Sequence, residues 1–235
     1  MTASHDRVVA VIAARDEVDR IAATVAALRA FVDRVVVADD GSSDGTGAAA
    51  ASAGAAVTRR ARSVGKGGAL ESALERVGDA DIVLLADGDL GESAASLATL
   101  LGPIRSGSAD LAVGILPAGP GGGFGLVRRL SAALVRASGG PRMSAPMSGQ
   151  RALTAAALAA LRPFASGFGV ETAMDIDAVR AGLRVVEVPV TASHRARGRS
   201  LAGFAHRARQ GLHVLLAAVP RIIRARRATR ASAAR

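Results

Sequence analysis

Cysteine, tryptophan and tyrosine are absent from this chain of 235 residues, and phenylalanine occurs only five times. Without cysteine there is neither a disulfide nor a thiolate metal site, a composition that suits a reducing cytoplasm. Without aromatic platforms, single-stranded nucleic acid has nothing to stack on, and the core must close through alanine and branched aliphatic side chains. No apolar run approaches the roughly 18–20 residues that a membrane span needs. The nearest, Gly211–Ile223, is interrupted by His213, Pro220 and Arg221, which suits a membrane surface and not a crossing. Polar Met1–Asp6 and the short run Val8–Ala14 do not make a signal peptide.

Two further scarcities are positional. Lysine occurs once, at Lys66, while the other basic residues are arginine. Acidic residues stop at Glu187, and eleven arginines follow between Arg195 and Arg235. The net charge of +10 therefore belongs to the C-terminal segment, and the rest of the chain is close to neutral. This distribution argues against a nucleic-acid-binding body and for an anionic neighbour at the C-terminus. The sequence predicts one domain over residues 1–200 and a basic helical extension over 201–235, broken at Pro220. Its bland role is packing with a solvated arginine face; its sharper one is peripheral contact with the inner membrane face.

What is present is an alternation of short apolar runs and alanine-rich helical stretches. Strands are predicted at Val8–Ala14, Arg34–Ala38, Ala55–Thr58, Asp81–Ala86, Asp110–Gly114 and Arg184–Val190, with a short irregular or edge strand at Ser148–Leu153. Helices are predicted at Glu17–Ala30, Ser43–Ala53, Lys66–Val77, Ser93–Arg105, Phe124–Ser138 and Val170–Ala181, the last ended by Gly182. Such spacing implies βαβ crossovers and a mostly parallel sheet, with a Gly/Pro-rich loop at Gly119–Gly125 as the candidate mobile segment.

In such sheets ligands bind beyond the carboxyl ends of the strands. Three loops stand there: Ala13-Ala14-Arg15-Asp16-Glu17, Asp39-Asp40-Gly41-Ser42-Ser43-Asp44-Gly45-Thr46, and Asp87-Gly88-Asp89. Singly, each reads as turn and cap chemistry. Asp87 and Asp89, two residues apart around a glycine, form the natural site for a hard cation, Mg²⁺ or Mn²⁺. Lys66, between Gly65 and Gly67 at a helix start, suits a phosphate. It is not a Walker loop, because the Gly-x-x-x-x-Gly-Lys-Ser/Thr spacing is missing.

These motifs resemble the GT-A fold nucleotide-sugar glycosyltransferases of the family-2 type, and within them the glucosyl-3-phosphoglycerate synthases. The resemblance continues through Gly121-Gly122-Gly123, Pro146-Met147-Ser148-Gly149, Gly167-Phe168-Gly169-Val170-Glu171 and His194-Arg195-Ala196-Arg197. It implies an α/β, Rossmann-like, mostly parallel sheet flanked by helices, and metal-dependent hexose transfer from a nucleotide diphosphate sugar. It places Ala13, Ala14, Arg15, Glu17 and Asp40 at the nucleoside, Lys66 at the diphosphate, and Asp87, Gly88 and Asp89 at the metal motif. Asp89 and His194 would be the metal ligands. Glu171 would sit under the donor sugar, with Asp175 one helical turn away. Gly122, Gly123 and, weakly, Arg197 would meet the acceptor.

Departures keep the acceptor open. Phe124-Gly125-Leu126 follows the triple glycine where the synthases have Arg-Val-Thr, and Ala192 stands where an arginine is expected. Glu187-Val188-Pro189 and Arg195-Ala196-Arg197-Gly198-Arg199-Ser200 resemble polyprenyl-phosphate glycosyltransferases, so a small phosphorylated, a hydroxyl and a lipid-phosphate acceptor all stand. A nucleotidyltransferase is disfavoured by the lack of glycine after the first strand. A non-catalytic nucleotide-sugar binding module is the alternative of another class, and homodimerisation stays open.

Overall fold

The computed structural model describes residues 6–117, 125–193 and 211–223. Strands β1 (Val8–Ala14), β2 (Arg34–Asp39), β3 (Ala56–Arg59), β4 (Ile82–Asp87), β5 (Leu111–Ile115), β6 (Arg151–Thr154) and β7 (Val185–Pro189) form one sheet in the order β3-β2-β1-β4-β6-β5-β7. Neighbours pair in parallel except β6, which runs antiparallel to both β4 and β5. The mostly parallel sheet and its flanking helices are those of a GT-A, Rossmann-like α/β fold.

Strand alternation sorts the apolar residues into two cores. Val8, Ala10, Ile12 and Ala14 of β1 face one side with α1 (Ile21–Arg29) and α2 (Thr46–Ser52). Val9 and Val11 face the other, with Leu70 and Leu74 of α3 (Lys66–Leu74) and Met174 of α7 (Val170–Arg180). Alanine lets helices approach the sheet closely, so few large side chains are needed. Each fully buried Ile or Leu contributes about 1.5–3 kcal/mol by leaving water.

Four elements differ from the sequence reading, the last of them the helix over residues 211–223. Residues 148–153 do not form an edge strand: β6 lies inside the sheet, with Ala152 and Leu153 fully buried. The charge of Arg151 disguises it. The helical stretch near Ser93–Arg105 is a 3-10 helix over Gly91–Leu100, followed by a short α4 (Leu101–Arg105). Its buried Ala94, Leu97 and Leu100 recur every third residue, and the hydroxyls of Ser96 and Thr99 donate to carbonyls three residues back. That period fits three residues per turn. Helix α6 (Ala155–Leu161), capped by the Thr154 hydroxyl, follows β6 directly and has no counterpart in the reading.

The remaining α-helices among the described residues are α5 (Leu126–Ala137) and α8, residues 211–223. Helix α8 runs through Pro220 and is not broken there. Buried Ala217, Ala218 and Ile222 anchor it on both sides of the proline. Arg221 adds a 2.7 Å bond to Asp177 of α7 and another, 2.9 Å, to the Ala217 carbonyl. Outside the described residues lie 118–124, with Gly122 and Gly123, and 194–210, with His194 and Arg197.

Arg184 grips Asp110 with its amide and guanidinium, at 2.7–2.9 Å, and so ties the start of β5 to that of β7. Those hydrogen bonds hold the Asp110 carboxyl down at about 2, against an ordinary 3.8. A carboxyl depressed in the fold adds stability that is complete above its ordinary value and lost as pH falls toward the folded one. Asp110→Asn should therefore flatten the fall in unfolding free energy between about pH 4 and about pH 2. Urea melts across that window check it, and slopes equal to the parent's would exclude the assignment.

Candidate active site

The C-terminal ends of β2, β1 and β4 lie side by side, because Ala14 pairs with Asp39 and Ala13 with Asp87. The three acidic loops are thus neighbours in space. The first two are laced together. Ser42 Oγ accepts from the Asp16 amide (3.0 Å), Asp16 Oδ1 from the Ser43 amide (2.9 Å), and Thr46 Oγ1 from the Glu17 amide (2.8 Å). Asp16 adopts a left-handed φ of 54° to do this, a conformation that aspartate tolerates better than most residues. Arg15 is exposed beside it, and Glu17 is half-buried.

Asp40 is buried and organises the lysine loop. Its carboxylate accepts from Ser63 Oγ at 2.6 Å and from the amides of Val64 (2.8 Å) and Gly65 (3.0 Å). It therefore shapes the turn that launches α3 and Lys66. Gly65 and Gly67 are required there. A Cβ on Gly67 would overlap the Ala165 carbonyl, and one on Gly65 would come within 3.0 Å of the Gly167 Cα. The lysine loop and the turn leading into α7 touch backbone to backbone.

Lys66 Nζ lies 2.5 Å from Asp87 Oδ1 and 2.7 Å from Glu171 Oε1. Burial alone would pull the ammonium's pKa down, but the charges and hydrogen bonds of Asp87 and Glu171 outweigh it and hold the pKa above the ordinary lysine value. The other oxygen of Asp87 accepts from Gln150 Nε2 at 2.7 Å, and its amide donates to Gln150 Oε1 at 3.2 Å. Asp87 is thus turned toward Lys66 and Gln150. Gly149 leaves room for this pair, since a Cβ there would stand 2.7 Å from both Asp87 oxygens.

Gly88 is buried against Ala14, where a Cβ would come within 2.9 Å of the alanine methyl. Thr24 clamps the loop from below, donating to the Gly88 carbonyl and accepting from the Gly91 amide, both at 2.8 Å. Arg20 donates to the Asp89 carbonyl at 3.2 Å. Asp89 is half-buried at the mouth of this loop. Its carboxylate is an oxygen donor suited to Mg²⁺ or Mn²⁺. Among the described residues no three His, Asp or Glu side chains gather as a complete cage. This donor set fits a cation completed by ligand oxygens, the arrangement usual for Mg²⁺ with phosphates.

A family profile for glycosyl transferase family 2 matches residues 9–158, which include all three acidic loops and the lysine loop. The chain belongs to this family. Glycosyltransferase AglJ of Haloferax volcanii is 32% identical over 165 residues, 67% of this chain and 53% of that protein. The chain thus spans about half the length of that relative. Glucosyl-3-phosphoglycerate synthase of Mycolicibacterium paratuberculosis is 31% identical over 233 residues, 88% of this chain and 70% of the relative. Among solved structures, the Mycobacterium tuberculosis synthase with Mn²⁺, UDP-glucose and phosphoglyceric acid superposes with a TM-score of 0.77 at 28% identity, over 92% of this chain and 80% of that one. The same enzyme with Mg²⁺ and UDP gives 0.78 at 28% identity, over 92% and 79%.

Asp175, expected one helical turn from Glu171, has a partner that the sequence reading did not name. Arg151 of β6 and Asp175 of α7 form a buried pair, each side chain 1% exposed, with contacts of 2.5 and 3.2 Å. Burial, exceeding the pull of Arg151, pushes the Asp175 carboxyl up to about 6. Arg151 also holds the carbonyls of Ser148 (2.8 Å) and Pro146 (3.4 Å). Glu187 of β7 holds the other end of that loop, accepting from the amides of Ser144 and Ala145. The loop over Gly149 is therefore pinned at both ends, and Asp175 carries the same helix as Glu171. An arginine among the apolar neighbours Ala152 and Leu153 is the sequence sign of Asp175's partner.

Arg151→Met alone should cost about 3–5 kcal/mol, because it strands a buried carboxylate. Arg151→Met with Asp175→Leu should regain most of that in chemical denaturation, since an apolar pair avoids the desolvation penalty. A double variant no more stable than the single one would contradict this account.

Proposed function

We propose that this chain transfers a hexose from a nucleotide diphosphate sugar to a small phosphorylated acceptor, with Mg²⁺ or Mn²⁺ as cofactor. The observation that carries the proposal is Lys66, held by Asp87 and Glu171 where three parallel strands end. A lone ammonium on a closely packed, glycine-shaped floor is placed to meet a diphosphate. The likeness to a synthase solved with Mn²⁺, UDP-glucose and phosphoglyceric acid supports the donor and acceptor classes.

In this reading the loops 13–17 and 40–42 receive the nucleoside, as Ala13, Ala14, Arg15, Glu17 and Asp40 line the ends of β1 and β2. Asp89 holds the cation, assisted by His194. The bound cation supplies positive charge against the diphosphate oxygens as the glycosidic bond breaks. Lys66 adds to that stabilisation from the protein side, in a site where a fixed charge needs no reorganisation. Asp87 holds Lys66 in place while Gln150 holds Asp87. Glu171, at the first turn of α7, meets the sugar hydroxyls or orients the acceptor. Where a hydroxyl of the phosphorylated acceptor attacks, its proton must be taken up as the new bond forms, by Glu171 or by the leaving diphosphate itself. Gly122, Gly123 and Arg197 are proposed on the acceptor side.

A panel of UDP-, GDP- and ADP-sugars with and without Mn²⁺ tests the proposal by thermal shift. At least one donor should stabilise the chain only with metal, and Asp89→Ala should abolish that gain. Turnover should release free nucleoside diphosphate; pyrophosphate as product would refute hexose transfer. Lys66→Met should lower kcat about 10²-fold or more, the usual cost of removing one group that stabilises developing charge. Its melting temperature serves as the control, because the substitution also leaves Asp87 and Glu171 facing each other.

A further inference from the structure

Helix α8 carries apolar residues on both its buried and its exposed face. Val214, Ala217, Ala218 and Ile222 are buried, Ala218 and Ile222 within the sheet's second core. The opposite face carries Leu212, Leu215, Leu216, Val219 and Ile223, of which Leu216 is 65% exposed. The stripe extends onto α5. A Cβ on Gly211 would touch Val127, and neighbouring Leu126 is 73% exposed. Scattered exposed leucines need no explanation, but a contiguous row at helical spacing marks a surface that is covered in use.

The surroundings of the stripe indicate its occupant. Arg128 and Arg129 stand exposed on the first turn of α5, next to Leu126. Residues 224–235 follow α8 directly and carry five arginines and no acidic residue. An apolar row bordered by cations matches a bilayer with anionic headgroups: leucines enter the acyl boundary while guanidinium groups meet phosphates. A second copy of this chain would bring equal positive charge to the same place, which opposes self-pairing.

We infer that the outer face of α8, with Leu126, is a docking surface for an anionic phospholipid bilayer. None of these residues is among those gathered around Lys66. The inference therefore stands apart from the transfer reading, and either can fail without the other. No helix among the described residues is long and apolar enough to cross a membrane, so contact is with one leaflet.

Co-sedimentation of the full chain with phosphatidylcholine vesicles, alone or mixed with phosphatidylglycerol, tests this. Binding should require phosphatidylglycerol and weaken as salt rises. The double variant Leu212→Ser, Leu216→Ser should bind about tenfold more weakly, because two leucines no longer leave water on insertion. Its melting temperature should stay unchanged, as both side chains are exposed. No vesicle binding by the parent, or binding indifferent to the double variant, overturns the inference; the second result would mean a purely electrostatic contact. A parent that sediments as a dimer without lipid, and a variant that sediments as a monomer, would assign the stripe to a second copy instead.

Discussion

One ammonium group holds together carboxylates that would otherwise repel each other. Asp87 ends β4 and Glu171 begins α7, elements from opposite halves of the chain, and Lys66 lies within 2.7 Å of both. In a partly buried setting such charges interact far more strongly than in water. Without the lysine, the two acids would repel each other, and α7 would lose this tie to the strand end. With it, the three side chains form a compact, half-neutralised cluster. A diphosphate with its cation brings the same kinds of charge that the resting site already balances.

Glycine makes this proximity sterically feasible. Gly67 and Gly65 admit the turn at 165–167, Gly88 admits Ala14, and Gly149 admits the Lys66–Asp87 pair. Each is a place where backbone must come closer than a side chain allows, so these glycines are architectural and not merely flexible. The pattern continues outward. Gly169 lies against the His213 carbonyl of α8, so the helix proposed to meet a membrane rests directly on the turn that precedes Glu171. The site and the outer surface are therefore joined by one layer of packed backbone.

The buried Arg151–Asp175 pair follows a different logic. It lies beneath the loop at 146–149, costs desolvation, and returns fixed positions for two carbonyls and for α7. An apolar pair of similar size would serve stability as well or better. Its hold on that loop and on the helix of Glu171 indicates that orientation is what it supplies.

Strand positions at β1 and β2, the acidic loops at their ends and the start of α3 at Lys66 were legible in the residue order. Short β-branched runs and glycine-bracketed polar loops have few ways to fold, and their chemistry is local. The same holds for Gly182, which closes α7 with a left-handed φ of 68°. The family likeness rested on these segments, as did the expected cation. What residue order did not disclose were relations between distant segments. The central place of β6, the 3-10 form of residues 91–100, the roles of Gln150, Thr24 and Arg151, and the continuity of α8 through Pro220 depend on partners far away in sequence. Local pattern determined which residues make strands, turns and cation-seeking loops. Only tertiary packing decided which charges face each other and which apolar face is left outside, because burial and long-range pairing set both.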